Sequence, residues 1–293
     1  MIELATMMGS YPKTAALKQG QVDSDVVALA FGDVEVAQKG FKDVVRRQKY
    51  DLAELAIMTF LIAFEHGKPY VLLPFVMNGG FHHKSLVVRD DAGFDVRGLA
   101  GKRVAMRSYS QTTPTWVRGL LADEYGIGLE QVQWLSSEGS HVEEYRDPPW
   151  VQPLAGTRSL EELLRAGEVD AIIAGGGLSG EPGIGPLIPE PAQAAHAWYE
   201  RSGVVPINHM VALRREIADA HPEVVVELMR MLRQARAMSG QAVPADGPDL
   251  QPIGRENVDA AVEMAVRYAH AQGLISRRYA LAELYGSVAD ALD

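Results

Sequence analysis

The feature that most constrains this 293-residue chain is an alternation of strand-like and helix-like segments that stops abruptly near residue 213. Short runs rich in Val, Ile and Leu alternate with amphipathic stretches up to that point, and helices alone follow. Such alternation favours α/β architecture with largely parallel sheets. Strands are expected at 2–8, 26–31, 51–57, 70–75 and 85–89, with helices at 12–17, 34–48 and 59–66 between them. A second run opens at Leu99-Ala-Gly-Lys-Arg103, with strands at 103–106, 131–136 and 169–174 and helices at 114–125 and 159–166. Residues 178–191 hold four prolines and three glycines and read as a loop. A strand at 209–213 then leads into helices at 222–239, 258–272 and 279–292.

Two α/β units followed by terminal helices predict two lobes joined by two crossings of the chain, near 87–91 and 206–213. Lobe 1 would comprise 1–88 and 209–293, and lobe 2 would comprise 89–208. Two mixed, mainly parallel sheets would then flank an interlobe cleft that closes over a small anionic ligand.

Composition narrows the partner. A formal net charge of −10 argues against nucleic acid, which needs clustered Lys and Arg, yet leaves room for a local basic pocket. With no cysteine, disulfides, thiolate metal sites and a Cys nucleophile are excluded. The apolar run at 55–64 is too short for a bilayer and is broken by Thr59, and the start lacks the pattern of a secretory signal. A cytoplasmic protein with no membrane partner is expected, with a homo-oligomer left open.

Ligand chemistry points to two polar turns that open helices. One holds Ser10 and Tyr11, the other Tyr109, Ser110, Gln111 and Thr112. Helix N-termini carry unpaired N–H groups and a positive dipole end, so they suit carboxylates. Pro114 suits the first helical position, and Ser110, Thr112 or Thr113 can cap it. His82 and His83 follow Gly79-Gly80 at a strand end, and His209 opens the second crossing. Imidazole moves protons near neutral pH, although adjacent histidines on a strand would face opposite ways. Glu54 stands inside an expected strand, where a carboxylate would be buried at the cleft edge. A divalent metal held by His83, His209 and His141 or Glu143 has no ligand spacing to support it, and no cofactor is expected. His66, His196, His221 and His270 read as surface or packing residues. Gly175-Gly176-Gly177 lacks phosphate-binding spacing, and there is no G-x-S-x-G elbow.

The segments Leu99-Ala-Gly-Lys-Arg-Val104, Ser108-Tyr-Ser-Gln-Thr-Thr-Pro-Thr-Trp-Val-Arg-Gly-Leu-Leu-Ala-Asp-Glu-Tyr-Gly-Ile127 and Gly203-Val-Val-Pro-Ile-Asn-His209 resemble the bacterial 4,5-dihydroxyphthalate decarboxylases. So do the shorter Leu52-Ala-Glu54 and Phe81-His-His-Lys-Ser85. The resemblance implies a two-lobed fold like that of type 2 periplasmic binding proteins, with an aromatic dicarboxylate in the cleft. It also implies substrate contacts from Tyr109, Thr112, Trp116 and Arg118, and catalytic roles for His83 and His209. His82 stands where the family has an arginine, and 175–177 replaces a segment that usually carries another. The expected activity is therefore a cofactor-independent or metal-assisted carboxy-lyase of aromatic acid catabolism. It would decarboxylate a hydroxylated acid related to, but distinct from, the named phthalate. The alternatives are a non-catalytic solute-binding or sensing protein of the same fold, or another enzyme, for example one of menaquinone or thiamine-pyrimidine synthesis.

Overall fold

The computed structural model describes residues 1–175, 178, 180–241 and 247–292. Gly176 and Gly177 of the glycine triplet lie outside the described residues. The first unit runs β1 (Ile2–Met7), α1 (Pro12–Lys18), β2 (Val27–Phe31), α2 (Phe41–Arg47), β3 (Leu52–Ala56), α3 (Ile57–Glu65) and β4 (Tyr70–Gly79). The second runs β5 (Leu86–Arg89), β6 (Arg103–Met106), α4 (Thr112–Tyr125), β7 (Gln133–Ser136), β8 (Val151–Pro153), α5 (Leu160–Arg165), β9 (Ala171–Ile173), β10 (Ile184–Pro186) and α6 (Pro191–Ser202). The chain then returns through β11 (Ile207–Arg214) into α7 (Arg215–Ala220), α8 (Pro222–Met238), α9 (Arg255–Ala271), α10 (Leu281–Tyr285) and α11 (Ser287–Leu292).

Two mixed sheets result, ordered β2-β1-β3-β11-β4 and β10-β5-β9-β6-β7-β8. β1 pairs in parallel with β2 and β3, whereas β11 is antiparallel to both neighbours. In the second sheet β6, β7, β8 and β9 are mutually parallel, and β5 and β10 add antiparallel strands. Every residue of β3 is buried, Glu54 included, because the strand is central and covered on both faces. β4 extends past Pro74 to Gly79. Proline is tolerated there because β4 is an edge strand. Its free edge is taken up by residues 252–254: Val76 N–H donates to Pro252 O and Gly254 N–H to Pro74 O.

Several local expectations shift. The helix expected at 34–48 is a 3₁₀ turn followed by α2, separated at Gly40, where a Cβ would press on the Met7 side chain. β8 and β10, three residues each, were too short for a periodic signal, and β10 emerges from the Pro/Gly-rich loop. The strand 86–89 belongs to the second sheet, so the first crossing is at 80–85, ahead of the expected 87–91. The second occupies 203–206, and the two crossings touch where Gly80 N–H donates to Pro206 O at 2.9 Å.

The C-terminal helices pack mainly on the first unit, α8 against α1 and α9 against α3 and β4. α9 also meets α4 of the second unit, so the lobes are joined there as well as at the crossings. Arg118 lies at the centre of this junction. Its Nε donates to Gln272 Oε1 at 2.7 Å, its Nη2 to Tyr109 O at 2.7 Å, and its guanidinium stacks 3.8 Å from the Tyr109 ring centroid. A Cβ on Gly119 would come within 2.4 Å of the Tyr268 ring, so only glycine permits this approach of α4 to α9.

Candidate active site

A cavity of about 1100 Å³ opens between the sheets. Five imidazoles among the described residues line it: His82, His83, His141, His196 and His209. Lys84 and Arg107 add positive charge, and no carboxylate side chain among the described residues lines the space. A protein with a net charge of −10 thus keeps a cationic cleft, which concentrates anions locally.

The most organised part is a buried carboxylate–imidazole pair. Glu54 stands opposite Val211 and His209 opposite Ala56, so the two side chains are diagonal neighbours on one face of β3 and β11. His209 Nδ1–H donates to Glu54 Oε1 at 2.6 Å; Tyr11 O–H donates to the same oxygen at 2.9 Å, and Gly9 N–H to Oε2 at 3.0 Å. Burial by itself would raise the Glu54 pKa, but the hydrogen bonds and charge of His209 and the donors of Gly9 and Tyr11 outweigh it and hold the carboxyl below its ordinary range. With Nδ1 committed to Glu54, Nε2 of His209 is left for a ligand. Burial and then Glu54 push the Tyr11 phenol up. Buried Lys13 donates to Met77 O; burial lowers its ammonium to about 8 against the opposing pull of Glu54.

The other imidazoles differ. His82 and His83 sit in the turn after β4, not on a strand, so both reach the cleft rather than opposite faces. Burial lowers each to about 4, with the Asn208 amide partly opposing for His82 and Arg201 adding to the effect for His83. His82 Nε2 and His83 Nδ1 are buried without a partner. His141 comes from the loop between β7 and β8, its Nδ1 2.9 Å from Thr59 Oγ1. His196, expected as a surface or packing residue, is exposed on α6 and also lines the cavity. Among the described residues no three His, Asp or Glu side chains converge as metal ligands, so the trio of His83, His209 and His141 or Glu143 does not assemble.

Several helix N-termini among the described residues meet the cleft, and of the two expected ones only α4 is there. α4 presents Gln111, Thr112, Thr113 and Pro114, beginning two residues before Pro114 with Gln111 as its N-cap and no side-chain cap. Thr112 Oγ1 instead accepts from Met58 N–H at 3.4 Å. Arg107 extends this end: it pairs with Glu138 at 3.3 Å, and the Gln111 amide, turned oxygen-first, accepts from its Nη2 at 3.1 Å. α6 adds Pro191, Ala192 and Ala195 to the lining, the start of α3 adds Ala56 and Thr59, and the start of α5 adds Leu160. α1 does not take part. Ser10 is exposed and accepts from Lys18, while Tyr11 stands behind Glu54.

Of the residues expected to bind substrate, His82, His83, His209, Gln111 and Thr112 line the cavity. Tyr109, Ser110, Trp116 and Arg118 do not, because their polar atoms are satisfied inside the protein. Tyr109 O–H donates to Gln272 O, Ser110 shares a hydrogen bond with Ser108, and Trp116 Nε1–H donates to Ile207 O at the second crossing. Sequence reading missed Arg107, Lys84, His196 and Phe41 as lining residues. Arg107 alone had a local signal, its place at the head of the polar turn that opens α4.

Similarity searches agree with this architecture. No family model matches the chain. The 4,5-dihydroxyphthalate decarboxylase of Comamonas testosteroni is 26% identical over 97% of this chain and 96% of its own length. The enzyme of the same name from Pseudomonas putida is 28% identical over 68% of this chain and 81% of its own. Among solved structures, the periplasmic aliphatic sulphonate binding protein SsuA of Escherichia coli matches with a TM-score of 0.60 at 12% identity, covering 97% of this chain and 91% of that one. The desulfurization enzyme DSZB in complex with biphenyl-2-sulfinic acid matches with a TM-score of 0.54 at 15% identity, covering 100% and 99%. Within the described residues no helix is long and apolar enough to cross a membrane. The chain is a homologue of the 4,5-dihydroxyphthalate decarboxylases, built on the fold of the periplasmic binding proteins.

Proposed function

We propose that the chain is a carboxy-lyase that decarboxylates a hydroxylated aromatic acid in the cleft between its sheets. One observation carries this reading: the buried Glu54–His209 pair backs a cavity lined by Lys84 and Arg107, with no carboxylate among its described lining residues. The full-length similarity to two decarboxylases supports it.

Arg107 and the N-terminus of α4 would hold a retained carboxylate. Glu54 orients His209 and stabilises positive charge on it, so His209 Nε2 would deliver a proton to the ring carbon that bears the leaving carboxylate. A C–H bond forms there. The C–C bond to the carboxylate then breaks, CO2 departs, and its bonding pair restores the aromatic ring. His209 is left neutral and regains one proton from water in each turnover. His83 has no carboxylate partner and is held neutral by burial, so its role is contact with the ligand and not proton delivery.

The same fold serves solute binding in SsuA, which makes a non-catalytic binder the second reading. A thermal-shift screen of aromatic mono- and dicarboxylates, with CO2 assayed on each hit, separates the two. CO2 release from a hydroxylated acid, abolished in His209→Asn, supports the lyase. Stabilisation by ligands with no CO2 from any of them leaves the binder.

A further inference from the structure

We propose that His141 reads the ring hydroxyl of the ligand and takes up its proton during turnover, and that Arg46 positions it from the opposite lobe. The chemistry rests on the decarboxylase reading; the placement does not.

His141 sits on a loop of the second unit, yet everything that seats it belongs to the first. Its Nδ1 meets Thr59 Oγ1 of α3 at 2.9 Å, and its ring stands edge-on to Phe41 of α2, centroids 5.5 Å apart. Arg46 of α2 donates from Nε to His141 O at 2.7 Å and from Nη2 to Ser140 O at 3.0 Å. Lys68 adds an ion pair to Glu144 at 2.6 Å. His209 packs on the same Phe41 ring, centroids 5.3 Å apart, so one aromatic wedge carries both imidazoles into the cleft. The two are unlike. His209 has a carboxylate behind it. His141 has a hydroxyl, and burial together with Arg107, Lys42, Arg46 and His209 holds it neutral down to about 4.

A base that weak leaves a resting phenol protonated. It is strong enough once the ring carbon has been protonated, because the conjugated hydroxyl then becomes strongly acidic. The O–H bond breaks to His141 and the ring becomes a dienone. When the C–C bond to the carboxylate breaks, its electron pair returns to the ring and the oxygen recovers its proton from His141. The net proton still comes from His209.

The test compares equilibrium binding of 3,4-dihydroxybenzoate and benzoate, each first assayed for CO2 release so that affinity is read on an intact ligand. In the wild-type chain the hydroxylated ligand should bind on the order of tenfold tighter. His141→Ala and Thr59→Val should remove most of that preference while benzoate affinity stays within about twofold. Arg46→Ala, outside the cavity lining, should lower the preference in the same way. A wild-type chain that does not distinguish the ligands, or a His141→Ala variant that keeps the full preference, overturns the assignment. CO2 release is scored separately. Lost preference in His141→Ala with no CO2 from any wild-type assay keeps His141 and rejects the lyase, whereas CO2 release with undiminished preference rejects His141 alone.

Discussion

Glu54 and His209, 155 residues apart, are joined by a 2.6 Å hydrogen bond across two antiparallel strands, with His209 lining a cleft that has no carboxylate among its described lining residues and Glu54 buried behind it. An ionised carboxylate in a fully buried position is stable only when its oxygens are satisfied, and three donors do so here. The arrangement fixes the imidazole tautomer and leaves one nitrogen for a ligand.

His209→Asn should lower the rate of CO2 release by roughly 10²–10⁴-fold while changing ligand affinity only a few-fold. Glu54→Gln should act in the same direction and also destabilise the fold, because the donors around the site lose a charged acceptor. Single-turnover CO2 assays beside calorimetric binding measure both. A wild-type rate in His209→Asn removes that residue from the chemistry.

Stability should fall on mild acidification. His82 and His83 are buried and held at about 4, against 6.5 in an unfolded chain. Between those values the unfolded chain binds protons that the folded chain refuses. Their contribution is therefore complete above pH 6.5 and is lost as pH falls toward 4, at about 1.4 kcal/mol per unit and site. Melting temperature measured from pH 7 to 4 should drop, and the His82→Gln/His83→Gln double variant should flatten the slope. An unchanged slope would assign the acid sensitivity to other groups.

Arg118→Ala should unfold at markedly lower denaturant, a loss of roughly 2–5 kcal/mol, because it takes the donor from two buried acceptors, Gln272 Oε1 and Tyr109 O, in the lobe junction. Where the variant remains folded, its ligand affinity should match wild type. A large affinity loss with little change in urea midpoint would return Arg118 to the binding site.

Arg107→Ala and Lys84→Ala should each weaken aromatic carboxylate binding by roughly tenfold and reduce its salt dependence. Arg107 should have the larger effect, since it extends the α4 N-terminus where Gln111 and Thr112 meet the cavity. Titration of phthalate at two salt concentrations measures this, and equal affinities in wild type and Arg107→Ala would place the anion elsewhere.

The path of the chain was legible because it depends on local periodicity. Apolar runs of strand length and amphipathic helices mark both units, and His82 and His83 could be placed just past a strand end from Gly79-Gly80 alone, whereas His209 proves to lie inside β11, beyond the second crossing. The helix end at Gln111–Thr112 was legible for the same reason. Arg118 and Trp116 looked like ligand contacts because they follow that helix end by one to two turns. Their faces turn instead to α9 and the second crossing, and no pattern within α4 announces that partner. The Ser10–Tyr11 turn failed differently: the Tyr11 phenol and the preceding Gly9 N–H are spent on Glu54, and Ser10 N–H donates to Glu35 O.

The sequence by itself determined an α/β chain of two units closed by helices, with a hydroxyl-rich helix start and histidines at the junctions, because periodicity, capping and turn chemistry act over a few residues. Tertiary structure alone decided which polar groups face the cleft. The register of β11 against β3 brings His209 to Glu54, the β7–β8 loop carries His141 onto Phe41 and Thr59, and the starts of α3, α5 and α6 reach the cleft where α1 does not. Those choices come from contacts between segments far apart in the chain, where burial and pairing outweigh local preference.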